Sequence, residues 1–483
     1  MVTEGTKPKP RNIDSKRDAP FLHAGRYGTD DMINIWGPEK TFEYSLMAQK
    51  EAVKTMSDLY PDIVPPEHAM EIYNAANLSV IDPDRIREIE DQTGHDVIAI
   101  NRSLAEKMSP EAAAHINKGR TSADTTETAK ALQIKNSLEV VADSIENLRD
   151  IVIEKAIAWS DVPHMDTSHW LDALPTVAGR PLAFNAEMLQ SDLDFLAFVY
   201  ANSIKGKWAD ATGNHHSSSA LGIDGLKLQK EYCRRLGLGN MDANAQIPGK
   251  EYLTDVIYAM ARTAETMNNL AFYMAWGKGS DAAIFRDGNP KKRKGSSAMP
   301  QKDAAGGNPT AEEQVESFAN LMRGNLVTSL SSNKFRYARD LSGSASDRDI
   351  YNSTFKFGDH SIRRLADAAY WLDLNEGRSV ERVKRSFGTT TSQRLMTYLT
   401  DRNMTNSPMT REDAHNLMGR LATEAYNEGV EFLDKLYKSE EVMDRFGKEE
   451  LRGIVDPMTY IGQSKEIIQA IRNNYHGKRT LYK

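Results

Sequence analysis

The sequence predicts an all-α chain built around long helices. Apolar residues recur three and four positions apart in segment after segment. One stretch, from Thr125 to about Trp159, keeps such a stripe at Ala131, Ile134, Leu138, Val141, Ile145, Leu148, Val152 and Ala156. At ~1.5 Å per residue it lines one side of a helix roughly 50 Å long, which needs neighbours to cover it. Rossmann glycines, a Walker loop and coiled-coil heptads are all missing, and the only repeated theme is helix after helix. With 483 residues the chain exceeds one ordinary hydrophobic core, and length alone points to roughly two to four domains.

The net charge of -7, from 61 basic and 68 acidic residues, argues against a general nucleic-acid binder and leaves no polybasic membrane footprint. An anionic ligand must then be met by local basic residues. The single cysteine, Cys233, excludes an intrachain disulfide and reads as a packing residue in a reducing compartment. The first twenty residues are polar and proline-bearing, and no run of about 18 apolar residues comes after them, so the expectation is a soluble cytoplasmic protein.

In chain order, Arg26-Tyr27 comes first, then a helical pattern from about Thr41 to Met56. An arginine fork beside a phenol suits a phosphate. Residues 85–107 form two helical patterns broken at Thr93-Gly94, with His95 opening the second. His115 precedes Gly119 and Arg120, and Thr121 and Ser122 open the long helix, where hydroxyls lie beside unpaired backbone N–H groups and can hold a carboxylate. Met165 to Arg180 breaks the periodicity before the next helix, Pro181 to about Ile204. His215-His216 has no carboxylate or cysteine at ligand spacing, so no metal site is expected there. Gln246 and Lys250 precede a helix from Leu253 to Trp276.

A long loop, residues 278–314, separates that helix from another over Thr310 to about Leu330. It carries Gly295, Ser296, Ser297, Ala298, Met299, Pro300 and Lys302, then Asn308-Pro309 with Glu312 and Glu313 in the following helical turn. Further on, Arg339-Asp340-Leu341-Ser342 leads to Ser344 and Arg348, two arginines and a serine suited to a dianionic phosphate. From Glu376 onward the chain reads as short amphipathic helices.

These motifs resemble the fumarase/aspartase superfamily of β-elimination lyases. The stretch Gly295 to Asn308-Pro309 is similar to its signature serine loop, with five residues between Lys302 and Asn308 where the family has one. The Ser-Ser-Ala-Met-Pro form, Arg26-Tyr27, the Thr93 to Ala99 stretch around His95, and Arg339 to Arg348 resemble the adenylosuccinate lyase branch. His169, followed by Ala173, Pro175, Thr176 and Gly179, matches the family's catalytic histidine stretch, with Leu171 where a glutamine is common. Gln246 matches a family glutamine, and Lys250 stands for an arginine.

The resemblance implies an all-α, three-domain fumarase/aspartase-like fold with a central long-helix bundle. The expected divisions are residues 1–121, 122–372 carrying the serine loop, and 373–483. It implies release of fumarate from adenylosuccinate to give AMP, and from the succinyl-carboxamide intermediate of purine synthesis. Ser296 is then the general base, His169 the general acid, His95 a ligand of the substrate's anionic groups, Lys302 a source of positive field, and Glu313 the partner of His169. Arg26, Tyr27, His115, Thr121, Ser122, Gln246, Ser297, Met299, Asn308, Arg339, Ser344 and Arg348 are the expected substrate-binding set. No metal or organic cofactor is implied, because the substrate's carboxylate takes up the charge. The partner implied is a small nucleotide, and the assembly a homotetramer with shared active sites. Two alternatives are a superfamily lyase for another N-succinyl or C-heteroatom substrate, favoured by the spacing after Lys302, and a catalytically silent helical scaffold.

Overall fold

The computed structural model describes residue 9 and residues 27–290, 296–304 and 306–481. Ahead of the bundle the chain forms a series of helices 4 to 20 residues long. Asp30–Trp36 is capped by the Thr29 hydroxyl, and Lys40–Leu59 extends the helix expected from Thr41 to Met56. Pro83–Thr93 ends at Gly94, whose φ of +64° is the left-handed turn that glycine adopts without strain. His95 is then the N-cap of Asp96–Ala105.

Five long helices form the centre: α1 (Ser122–Ala158), α2 (Arg180–Asn202), α3 (Glu251–Lys278), α4 (Thr310–Ser332) and α5 (Ser344–Tyr370). Each packs on the next, and α5 returns to α1, so the five close into a ring. Helix α1 is the element read from the apolar stripe. All eight stripe positions are buried, and its start is set by a capping box in which the Asp124 carboxylate accepts from the Thr121 N–H at 2.8 Å.

One continuous core runs from the first helix through the bundle and takes in Ile468 and Ile471 of the helix Ser464–Tyr475. Residues between Leu395 and Val455 close around a second core. Two small antiparallel pairs interrupt the helices. β1 (Pro163–Ser168) pairs with β2 (Leu171–Val177), and β3 (Phe285–Asp287) pairs with β4 (Leu372–Leu374). The break in periodicity after α1 is thus a hairpin, and the long loop between α3 and α4 holds a short strand and one helical turn, Gln301–Ala304. Cys233 is buried, which pushes its thiol up to about 12. Among the described residues no helix is long and apolar enough to cross a membrane.

Candidate active site

At one end of the bundle a cleft of about 660 Å³ is lined by His95, Ser122, Gln246, Arg339 and Arg348. A second hollow of about 380 Å³ shares Asp96, Arg339, Asp340 and Arg348 with it and adds Lys250, Ser344 and Asp347. Local chemistry explains how these side chains converge. Ser122 is the first residue of α1 and Ser344 the first of α5, so both helix N-termini open here and favour an anion. The Gln246 N–H donates to the Ala338 carbonyl at 3.1 Å, and its amide oxygen accepts from Arg339 Nη1 at 3.1 Å. These bonds tie Arg339 to the turn before α3.

The charges are unevenly committed. Lys250 Nζ is 2.8 Å from Asp347 Oδ2, whereas the Arg348 side chain is 78% exposed and meets Asp96 only at 3.9 Å. Lys250 therefore props the start of α5, and Arg348 keeps its fork available for a dianion. His95 Nδ1 lies 3.2 Å from Asp96 Oδ1.

The serine loop lies at the opposite end. Ser296 Oγ accepts from the backbone N–H groups of Met299 at 3.0 Å and Ala298 at 3.4 Å, donors that would also meet an alkoxide there. Ser297 and Met299 are exposed. The extra residues after Lys302 fold back rather than carry Asn308 away from it. Gly307 N–H donates to the Lys302 carbonyl at 2.8 Å, Gly306 and Gly307 have φ of +88° and +80°, and Lys302 Nζ donates to Asn308 Oδ1 at 3.1 Å. A Cβ at Gly306 would also approach the Asp287 nitrogen to 2.8 Å, so both the turn and its seat against β3 need glycine.

His169 and Trp170 form the two-residue tip of the β1–β2 hairpin, with φ of +51° and +68°. Two positive values define a primed turn, normally occupied by Asn-Gly. Glu313 points outward from the first turn of α4, and its neighbour Glu312 is the buried one, paired with Lys278 Nζ at 2.5 Å. Tyr27 packs edge-on to Phe318 and His360, halfway along the bundle, and Arg26 lies outside the described residues. His115 pairs with His68, nitrogen to nitrogen at 3.2 Å, so the structure joins it to the N-terminal helices rather than to the His95 cleft.

One chain thus brings together His95, Ser122, Gln246, Arg339, Ser344 and Arg348, and separately Ser296, Lys302 and Asn308. The 23 residues of α4 lead from the serine loop to the Arg339 turn, a path about 34 Å long. Sequence reasoning passed over Asp96 and Asp347, which line these hollows, and Lys207, which is buried against Asp124 at the start of α1. The first follows His95 directly and was visible in the Thr-x-His-Asp order. Lys250 and Asp347 meet across nearly a hundred residues and Lys207 and Asp124 across 83, and no local signal announces such pairs.

A family model described as Lyase matches residues 25–324, and one described as Adenylosuccinate lyase C-terminus matches residues 388–471. The adenylosuccinate lyase of Methanocaldococcus jannaschii is 28% identical over 94% of this chain and 96% of its own length. That of Streptococcus mutans is 26% identical over 92% and 98%. Among solved structures, a fumarate lyase from Mesorhizobium sp. BNC1 superposes with a TM-score of 0.80 at 18% identity, covering 92% of this chain and 98% of its own. The β-carboxy-cis,cis-muconate cycloisomerase of Acinetobacter calcoaceticus sp. ADP1 gives 0.78, also at 18% identity, covering the same shares of the two chains. These two likenesses establish the all-α fold, and the matched family models with the curated relatives establish that the chain belongs to the fumarase/aspartase superfamily of lyases, in its adenylosuccinate lyase branch.

Proposed function

We propose that the chain is a C–N lyase that releases fumarate from adenylosuccinate to leave AMP, and from the succinyl-carboxamide ribotide by the same chemistry. One observation carries the substrate: Arg339 and Arg348 are shared by two adjoining hollows, each opened by a helix N-terminus, Ser122 in one and Ser344 in the other, an array suited to a phosphate dianion. His95, Ser122 and Gln246 line the neighbouring wall, where the succinyl carboxylates and the base can be held.

In this reading Ser296, as the alkoxide, removes the proton from the carbon beside the carboxylate. The N–H groups of Ala298 and Met299 that it already accepts make that ionised form accessible, and Lys302, fixed by Asn308, adds positive field. The electrons move onto the carboxylate. The C–N bond then breaks toward nitrogen, and His169 delivers a proton to the departing amine, an imidazole being suited to both states near neutrality. Glu313 charges His169, and Arg26, Tyr27, His115, Thr121, Ser297 and Met299 complete the contacts to substrate.

The base and the phosphate cradle sit at opposite ends of α4, so the reading requires that chains share their sites. A homotetramer is the assembly proposed. Its support is the row of exposed aromatics on adjoining helices, Phe184 and Phe198 on α2 with Tyr258 and Phe272 on α3, 47–58% exposed. A cytoplasmic setting belongs to the same reading. The test is a spectroscopic assay of the purified protein with adenylosuccinate, in which turnover is expected. Inertness toward it, with argininosuccinate or another N-succinyl compound consumed instead, overturns the substrate.

A further inference from the structure

The hairpin that carries His169 is held by a helix more than two hundred residues away in sequence. Asp172, three residues past His169 and paired with Thr167 across the ladder, is gripped by two arginines of the segment that follows β4. Arg382 Nε and Nη2 donate to its Oδ1 at 3.1 and 2.7 Å, and Arg385 Nε and Nη2 donate to Oδ2 at 3.3 and 3.0 Å. Arg382 is 9% exposed and lies with its guanidinium 4.8 Å from the centre of the Trp276 ring on α3. The same helix, Glu376–Lys384, holds the base of the hairpin: Ser379 Oγ donates to the Pro163 carbonyl at 2.8 Å and lies 3.0 Å from His164 Nδ1.

This grip has a purpose that packing alone does not explain. The tip places two non-glycine residues at positive φ, a conformation that costs energy and persists only where its surroundings impose it. Trp170 at the tip is 82% exposed and meets Phe272 of α3 edge-on, ring centres 6.3 Å apart. The tip itself is thus thinly supported, and the constraint enters below it through Asp172, whose charge is matched on both oxygens.

We propose that Asp172, through Arg382 and Arg385, is a positioning residue that sets the placement of the His169 imidazole for protonating the leaving nitrogen. The inference rests on His169 being the general acid. Both oxygens of Asp172 are taken up by Arg382 and Arg385, so releasing the grip should slow the proton-transfer step and leave binding intact.

The experiment is steady-state kinetics on Asp172→Asn, Asp172→Glu, Arg385→Gln and His169→Ala, using whichever succinyl compound the parent turns over. Asp172→Asn should lower kcat about tenfold or more with KM within about twofold, the pattern of a misplaced group, and Asp172→Glu should recover most of the loss. Arg385, with a side chain 57% exposed, can be truncated without a core defect, so Arg385→Gln carries the test if Asp172→Asn does not fold; it should lower kcat at unchanged KM. Parent-like kcat in Asp172→Asn or Arg385→Gln, or a matched rise in KM, overturns the inference. His169→Ala separates the two levels. If it is inactive while Asp172→Asn equals the parent, only the positioning role falls; if it retains parent kcat, the acid assignment falls and takes this inference with it.

Discussion

Lys207 and Asp124 form an ion pair in which neither side chain reaches solvent. Burial pushes the Lys207 ammonium down from its ordinary range, against the pull of the Asp124 carboxylate. Asp124 also accepts from the Ala209 N–H at 3.0 Å and from Thr121, so the pair joins the start of α1 to the turn after α2. Lys207→Met should therefore destabilise the protein by about 3–5 kcal/mol, because it leaves a buried carboxylate without its cation. Urea denaturation measures this; a midpoint equal to the parent's would refute it.

The hairpin gives the protein an acid-sensitive joint. His164 is 2% exposed, and burial first, with Arg382 second, depresses its imidazole from 6.5 to about 4. The unfolded chain holds this proton at pH values where the folded chain does not, so stability is complete above about 6.5 and falls as pH drops toward 4, by about 3 kcal/mol in all. Denaturation midpoints for the parent and His164→Gln should converge in shape above pH 7 and diverge below 6, the variant showing the flatter profile.

Arg348 offers a direct check of the phosphate assignment. Its fork is largely free of internal partners, so Arg348→Ala should fold normally and raise KM for a phosphorylated substrate by about tenfold or more, the worth of a charge-assisted pair. A dephosphorylated analogue should bind nearly as well to the variant as to the parent. Equal losses for both would remove phosphate from that role.

Ser296→Ala and Arg348→Ala, each weak or silent alone, should recover activity when the two chains are unfolded together and reassembled. Recovery is expected if one chain lends its serine loop to another chain's cleft. Mixtures no better than their components would argue for a complete site within one chain.

His169→Ala should cut turnover by about a hundredfold or more, the usual worth of a general acid, while circular dichroism stays at the parent's helical level. The tip residue contributes little to either core, and a collapsed spectrum would show a structural histidine instead.

The helices were legible because their causes are local. The stripe from Ala131 to Ala156 buries as spaced, Thr121 with Asp124 marks where α1 begins, and Gly94 stops one helix so that His95 can open another. The hairpin was visible only as an interruption. Its tip is His169-Trp170, without the asparagine or glycine that advertises a primed turn, and its strands bury consecutive residues at their bases rather than alternate ones. The serine loop is legible as a loop from its glycines and prolines, but the return of Asn308 to Lys302 depends on two left-handed glycines whose effect is geometric. The contrast between Glu312 and Glu313 turns on which face of α4 meets Lys278, a tertiary fact. The Asp172 grip joins positions some 210 apart and leaves no trace in either neighbourhood.

Helix α4 acts as a spacer as well as a wall. By holding Ser296 about 34 Å of helix away from the Arg339–Arg348 cleft, it leaves a solitary polypeptide, on the proposed reading, with halves of two reaction centres and the whole of none. Specific activity then depends on how many molecules share the solution. Progressive dilution should silence the enzyme before any helix melts, and restoring the concentration should bring it back.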